Sequence, residues 1–401
     1  MIKELHLNNW KSFADARLYV DQLTFIIGTN ASGKSNILDA LSFLHFAVMG
    51  MSVETVLKEH IRGGAEWAVR KGADSFSLGI IDEQNGYDYE YSITCGFSEN
   101  NVIELKSEKL ERKSKGKLPS KTIYATDVQH FDVVASTIPV RFYTAKRGNQ
   151  KRLDLSKRVS VLSQHEVLPV IKQVKEACSL IAEDLKSIFV FNPIPNHMRN
   201  YCGLSDKLNE DAGNIAGVIA GLAPDAQKDL ESKISEYVRP LPERDINKVW
   251  AETVGRFKND AMLYCEECWY DGEREVMDAR SMSDGTLRFV AIVTALLTGK
   301  PNSLLVIEEI DNGLHPSRAG ELVRVLKKLG SERHIDLLCT THNPVLIDTL
   351  GVEMIPFISF VSRSKTDGTS IIEPVEDCHN LMKLMANYSV GELMTNDKLT
   401  V

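Results

Sequence analysis

The chain has 401 residues, a formal net charge of −8 at pH 7, 43% hydrophobic residues and 25% charged residues. This is ordinary for a globular protein large enough for more than one core; no apolar run reaches the roughly 18 residues of a membrane span, and Met1 to Leu7 lacks the apolar centre of a secretory signal. Seven scattered cysteines suit a reducing cytoplasm better than a disulfide framework, and the acidic balance excludes a uniformly basic nucleic-acid binder.

Residues 2–7 read as a first strand, Ala16 to Val20 as a second and Leu23 to Ile27 as a third. Directly after the third comes Gly28-Thr29-Asn30-Ala31-Ser32-Gly33-Lys34-Ser35-Asn36, a complete match to G-x-x-x-x-G-K-[ST]. The apolar spacing of Ile37, Leu38, Leu41 and Leu44 predicts a helix behind it. In such a loop, glycines let backbone N–H groups close on phosphate oxygens at a helix N-terminus. Lys34 can then reach the β- and γ-phosphates and the Ser35 hydroxyl can ligate Mg²⁺. The pattern predicts a nucleoside triphosphate site.

From about 75 to 145 the chain shows short β-like runs separated by turn residues such as Gln84-Asn85-Gly86, an expected antiparallel β subdomain. From Val161 the period becomes helical through Val167, Val170, Ile171, Val174, Cys178, Ile181 and Leu185. Further helical segments surround 214–222 and 227–238, with breaks at Asn192 to Pro195 and Pro240 to Pro242. Ala261 to Tyr270 reads as a strand; its Cys265-Glu266-Glu267-Cys268 has metal-like spacing but no second pair, so core and edge cysteines are expected. Leu304 to Ile307 and Leu337 to Cys339 are apolar runs typical of buried parallel strands, and 357–361 with 369–374 reads as a terminal hairpin.

Two basic runs stand out. Lys106 to Lys121 (including Lys115 and Lys117) reads as a solvated hairpin tip. Arg141 to Arg158, with Lys146, Arg147, Lys151, Arg152 and Lys157, is denser and leaves phosphate contact open beside the same bland reading.

Three further segments carry chemistry. Glu308 and Glu309 follow a buried strand; there the first acid suits a metal and the second a general base, against the alternative of ordinary solvated acids. His342, at the end of the next strand and before Asn343-Pro344, is well placed to touch a γ-phosphate; a lone histidine is more often structural, but its spacing from Glu309 favours the functional reading. Ser283-Asp284-Gly285 opens an apolar helix; capping alone explains the serine and acid, while Gly285 leaves N–H groups open to an anion.

Together, the order of phosphate loop, signature at 282–286, acidic strand end at 304–309 and His342 resembles the ABC-type ATPases, in the soluble branch of SMC, RecF and OLD proteins. Leu7-Asn8-Asn9-Trp10-Lys11-Ser12-Phe13 is similar to that branch's N-terminal motif, and Asp311-Asn312-Gly313-Leu314-His315-Pro316 to compact bacterial ATPases of PtuA-like and retron-associated defence systems. The resemblance covers about 1–50 and 275–350. It departs at Glu308, where most relatives carry aspartate, and in a signature reading Met-Ser-Asp-Gly-Thr.

The resemblance implies an α/β, ABC-type P-loop head with an antiparallel β subdomain and a helical insertion lobe. The expected division is 1–160, 161–275 and 276–401. It implies ATP and Mg²⁺ as cofactors, with Lys11, Ser12, Asn30, Ala31, Ser32, Gly33, Lys34, Ser35 and Asn36 around the nucleotide. Ser35 and Glu308 would hold the metal, with Gln164 as the Q-loop residue, and Lys34, Glu309 and His342 would be catalytic. Ser283 and Gly285 would meet the γ-phosphate of a second copy in an ATP-sandwiched homodimer. The expected role is a cytoplasmic switch with no membrane partner, controlling an effector linked to a nuclease or reverse transcriptase in antiphage defence and sensing DNA or RNA. A RecF-like repair ATPase is the alternative. The chain after Pro344 leaves little room for an OLD-type nuclease domain, and the SMC-like N-terminal motif disfavours a transporter motor.

Overall fold

Period-two burial in most of the antiparallel strands and largely apolar, buried runs in the parallel ones set the elements of the fold. The computed structural model describes residues 1–114, 120–130, 135–144, 150–241, 246–268, 272–396 and 399. β1 (Ile2–Trp10) and β2 (Phe13–Tyr19) form a tight hairpin turned at Lys11-Ser12, and β3 (Leu23–Ile27) leads to α1 (Lys34–Val48). After α2 (Val53–Glu59) and α3 (Gly64–Ala68) come β4 (Ser75–Gln84), β5 (Tyr87–Phe97), β6 (Ile103–Ser114), β7 (Lys121–Thr126), β8 (Thr137–Tyr143) and β9 (Gln150–Ser156). Next are α4 (Lys172–Lys186), β10 (Ile188–Phe191), α5 (Pro195–Met198), β11 (Cys202–Gly203), α6 (Ile215–Ala220) and α7 (Pro224–Val238). β12 (Ile246–Val254), β13 (Asp260–Cys268) and β14 (Arg274–Asp278) precede α8 (Asp284–Thr298). The chain then runs β15 (Ser303–Ile307), α9 (Ala319–Arg333), β16 (Ile335–Thr341), α10 (Pro344–Leu350), β17 (Ile358–Arg363) and β18 (Ser370–Pro374).

Fourteen of these strands make one sheet, ordered β10-β15-β16-β3-β17-β18-β2-β1-β4-β5-β6-β7-β8-β9. The first five are parallel neighbours, and β1, β2 and β4 to β9 form an antiparallel wing. The antiparallel region expected around 75–145 is therefore continuous with the parallel sheet, joined where β18 pairs with β2 at Ser370 and Phe13.

β3, β15 and β16 are buried along their whole length, and alternate residues point to opposite layers. Phe25, Ile27, Leu305, Ile307, Leu337 and Cys339 join the core under α8 and α9. Ile26, Leu304, Val306 and Leu338 join the core shared with α1, α4 and the wing. Trp10, Phe43 and Phe76 pin α1 to that wing, with ring centroids 4.8 to 5.9 Å apart.

Residues 161–275 contain α4 to α7, and also strands that helix-spaced apolar residues nearby had obscured. β10 joins the main sheet, and β11 to β14 form a second, four-stranded antiparallel sheet. Val249, Ala251, Ala261, Leu263 and Cys265 are buried at period two in β12 and β13, which pack on α6 and α7. The helix predicted from Val167 begins only at Lys172, leaving Val167 exposed. Pro242, Trp269 and Tyr270 lie outside the described residues.

Glu108 on β6 fastens the wing to the turn before α4. Its carboxylate accepts from the hydroxyls of Tyr91, Tyr124 and Ser160 and from the amides of Val161 and Leu162, at 2.7 to 3.2 Å. Burial raises its pKa, and those hydrogen bonds oppose the rise. All seven cysteines are free. Among the described residues no helix is long and apolar enough to cross a membrane, and no group of three or more His, Cys, Asp or Glu is placed to hold a metal by itself.

Candidate functional site

Parallel strands present their carboxyl ends on one side of a sheet, and ligands bind there. The phosphate loop follows β3, Glu308 follows β15, His342 follows β16 and Asn192 follows β10. The loop at 28–35 is shaped by close approach. A Cβ on Gly28 would sit 2.2 Å from the Val361 carbonyl oxygen, and one on Gly33 would sit 2.5 Å from Ser370 Oγ. Gly33 also has φ +120°, which only glycine adopts without strain.

Lys34 is buried, and its Nζ donates to the carbonyls of Gly28 at 2.7 Å and Thr29 at 3.0 Å. Burial lowers its pKa, while the charges of Glu309, Asp311 and Glu308 oppose that shift. Ser35 Oγ donates to Glu308 Oε1 at 2.7 Å, joining the loop to the end of β15 across 273 residues of chain. A hydroxyl and a carboxylate are hard oxygen donors suited to Mg²⁺, which takes few protein ligands and completes its shell with phosphate and water.

Asn30 and Ala31 are exposed at the loop tip, where Ala31 adopts φ +62° and its carbonyl accepts from Arg363 Nε at 3.0 Å. Behind the loop, Ser370 Oγ lies 2.7 Å from Ser12 Oγ and 2.5 Å from the Ser32 carbonyl oxygen. Asn36 Nδ2 donates to Ser12 Oγ at 2.8 Å, and Trp10 Nε1 donates to the Asn36 carbonyl at 2.7 Å. Ser32 Oγ is buried with no hydrogen-bond partner among the described residues.

Lys11, Asp39, Arg62 and Glu308 alternate in charge. Lys11 Nζ pairs with Asp39 Oδ2 and donates to the Arg62 carbonyl at 2.7 Å. Arg62 Nε donates to Asp39 Oδ1 at 3.0 Å, and its Nη1 and Nη2 reach Glu308 Oε1 and Oε2 at 2.8 and 3.3 Å. Burial works against the Arg62 charge, but bonding to Glu308 and the charge of Asp39 outweigh it, so its pKa rises. Burial lowers the pKa of Lys11, with Asp39 opposing the shift.

Glu309 turns the chain at φ +47°, held by its amide donating to Thr340 Oγ1 at 2.8 Å. Its carboxylate accepts from Asn312 Nδ2 at 3.4 Å. His342 is exposed just past β16, beside Thr341, whose hydroxyl donates to Asp311 Oδ1 at 2.6 Å. Behind the two acids the buried Arg288 of α8 donates to the carbonyls of Pro193, Glu308 and Glu309 at 2.8 to 3.0 Å.

The signature residues sit elsewhere. Ser283 caps α8, its Oγ accepting from the Thr286 amide at 3.1 Å. Gly285 packs on the turn after β15, where a Cβ would meet the Gly313 carbonyl oxygen at 2.7 Å. Gln164 Nε2 donates to the Ser160 carbonyl in its own turn, at 3.2 Å.

The described cations of the basic runs are largely engaged. Arg141 pairs with Asp127 at 2.6 Å, Arg152 reaches Asp154 at 3.5 Å, Lys151 donates to the Pro169 carbonyl at 2.5 Å, and Lys157 is buried 3.6 Å from Glu104. Lys109 pairs with Glu111 at 2.9 Å and Lys113 with Glu90. Lys115, Lys117, Lys146 and Arg147 lie outside the described residues.

Asp39, Arg62, Asn192, Arg288, Arg363 and Ser370 are site residues that the sequence reading missed. Asp39 and Arg288 carried a local signal, each a charged residue within the apolar stretch of its helix.

Two family models match parts of the chain. Residues 1–129 match "AAA ATPase domain", and residues 265–348 match "AAA domain, putative AbiEii toxin, Type IV TA system". Among solved structures, an SMC head bound to the C-terminal winged-helix domain of ScpA aligns with a TM-score of 0.51 at 16% identity, covering 93% of this chain and 96% of the other. The fold is that of an SMC head. This ABC-type P-loop ATPase fold accounts for both the parallel sheet and the antiparallel wing. The SMC head domain of Thermotoga maritima also aligns, with a TM-score of 0.45 at 15% identity over 93% of this chain and 98% of that one.

In sequence, the chromosome partition protein Smc of Methanococcus voltae is 27% identical over 274 residues, covering 66% of this chain and 20% of the relative. The DNA replication and repair protein RecF of Porphyromonas gingivalis is 29% identical over 132 residues, covering 32% of this chain and 34% of the relative. The chain thus spans between a fifth and about a third of the curated relatives it matches.

Proposed function

We propose that this chain binds ATP with Mg²⁺ between the 28–36 loop and Glu308, hydrolyses it, and uses the cycle to switch an assembly. The hydrogen bond from Ser35 Oγ to Glu308 Oε1 at 2.7 Å carries the reading, because it unites the two parts of a phosphate–metal site. Lys34 would neutralise phosphate charge, Glu309 would orient and deprotonate water, and His342 would contact the γ-phosphate. Lys11, Ser12 and Asn36 would line the nucleotide side. Gln164 would act as the Q-loop residue, moving from its turn on nucleotide binding. The bound magnesium would offset charge developing on the transferred phosphoryl group.

The signature at Ser283 and Gly285 would serve a second copy of the chain. Its support is the exposure of Ser283 at the N-terminus of α8, where Gly285 in the first helical turn packs on the 311–316 turn. The expected divisions at 160 and 275 then separate the nucleotide half, the insertion and the signature half.

The partner switched by this cycle would be an effector protein, a nuclease or reverse-transcriptase-linked enzyme of antiphage defence in the cytoplasm. The toxin–antitoxin description of the model matching 265–348 and the likeness of 311–316 to defence ATPases support it. A RecF-like role on DNA is the second reading, favoured by the RecF similarity.

Titration with a fluorescent ATP analogue and Mg²⁺ tests the site. Saturable binding that Lys34→Ala abolishes supports it, and equal binding by both proteins overturns it. Expression together with the neighbouring genes tests the role. A stable complex with a nuclease or reverse transcriptase supports defence, and ATP turnover stimulated by gapped DNA without a partner supports repair.

A further inference from the structure

We propose that the Arg62 guanidinium is an exchangeable counter-cation of the metal site, competing with a divalent ion for Glu308. The proposal rests on the reading of Ser35 and Glu308 as the metal-holding pair. Glu308 Oε1 receives Ser35 Oγ at 2.7 Å and Arg62 Nη1 at 2.8 Å, so the guanidinium stands at the very oxygen the metal would share with Ser35. Oε2 receives Arg62 Nη2 at 3.3 Å and Asn192 Nδ2 at 3.4 Å. A divalent ion held by those oxygens would repel the adjacent guanidinium, and a carboxylate cannot offer the same lone pairs to both.

Arg62 has somewhere to go. Its side chain is 52% exposed, and Nε keeps a second anchor on Asp39, a residue 5% exposed and fixed by Lys11. Release from Glu308 therefore leaves one charge-assisted hydrogen bond in place rather than stranding the cation. Because Lys11 lies in the β1–β2 turn, Asp39 on α1 and Arg62 after α2, metal entry changes an ion-pair chain shared by three elements. Arg62 thus sets the divalent concentration at which the site loads.

The test measures Mn²⁺ affinity of the protein–ADP complex by electron paramagnetic resonance of free Mn²⁺, with ADP keeping any γ-phosphate contact out of the comparison. Arg62→Ala should lower the Mn²⁺ Kd by about three- to tenfold, the scale of a half-buried charge pair. Arg62→Lys, which keeps the charge but loses the two-pronged grip, should fall between the two and guards against a misfolded alanine variant. An unchanged or higher Kd in both variants overturns the proposal. Glu308→Ala separates the layers: if it binds Mn²⁺ as the wild type does, the metal-site reading itself fails and takes this inference with it.

Discussion

Gly285 meets Gly313 so closely that a Cβ on the first would lie 2.7 Å from the carbonyl oxygen of the second. Arg318 closes the same contact, its Nη1 donating to Thr286 Oγ1 at 3.2 Å. The turn leaving β15 and the first turn of α8 therefore move together. Gly285→Ala must push them apart, at a cost of about 1–3 kcal/mol typical of overpacking. Urea unfolding checks this, and a variant as stable as wild type would contradict the contact.

Arg288 should matter to both stability and turnover. Burial lowers its pKa, opposed by the charges of Glu309, Asp311 and Glu308, and its guanidinium serves three backbone carbonyls. Arg288→Met removes this donor from the Pro193 and Glu308 carbonyls, while the Glu309 carbonyl keeps the Asn312 amide, and should cost about 2–4 kcal/mol. Loosened placement of Glu308 and Glu309 should also slow ATP turnover about tenfold, the equivalent of 1.4 kcal/mol. Unfolding and steady-state phosphate release measure the two effects separately.

The hub at Glu108 predicts a large effect far from the phosphate loop. Glu108→Gln leaves a neutral amide oxygen for the donors at Oε1 and sets an N–H₂ against the Val161 amide at Oε2, so it weakens or breaks the bonds of the native carboxylate. The lost bonds should destabilise the fold by about 2–4 kcal/mol. A urea midpoint equal to that of wild type would show that the hub contributes little.

Much of the site was legible because its parts are local. The apolar run into Gly28 and the apolar runs ending at Glu308 and Thr341 each mark a buried parallel strand and its carboxyl end. Ser370 was not legible, since only the pairing of β18 with β2 brings it within 2.7 Å of Ser12, 358 residues away. Arg62 lies between two short helices, where no periodicity marks a side chain that will reach across to β15. The second sheet was half seen. β13 reads as a strand, but β12 follows α7 and lost its period-two signal beside helical spacing.

Asp336 predicts a pH effect. Burial raises its carboxyl to about 6, with Lys3 opposing the rise. The unfolded chain ionises this group near pH 4, so the fold loses stability as pH rises from about 4 through 6. Asp336→Asn should therefore gain about 1–2 kcal/mol over wild type at pH 7.5, after discounting for partial solvent contact, and little at pH 4. Urea midpoints of both proteins at the two pH values give the comparison, and an equal difference at both would refute the assignment.

We propose that the ATP site at residues 28–36 is completed by the Ser283–Gly285 turn of a second copy. Sedimentation of Glu309→Gln, which should bind ATP but hydrolyse it slowly, tests this most directly. With saturating ATP and Mg²⁺ the variant should sediment as a dimer, and as a monomer with ADP. A monomer under both conditions would rule out the shared site.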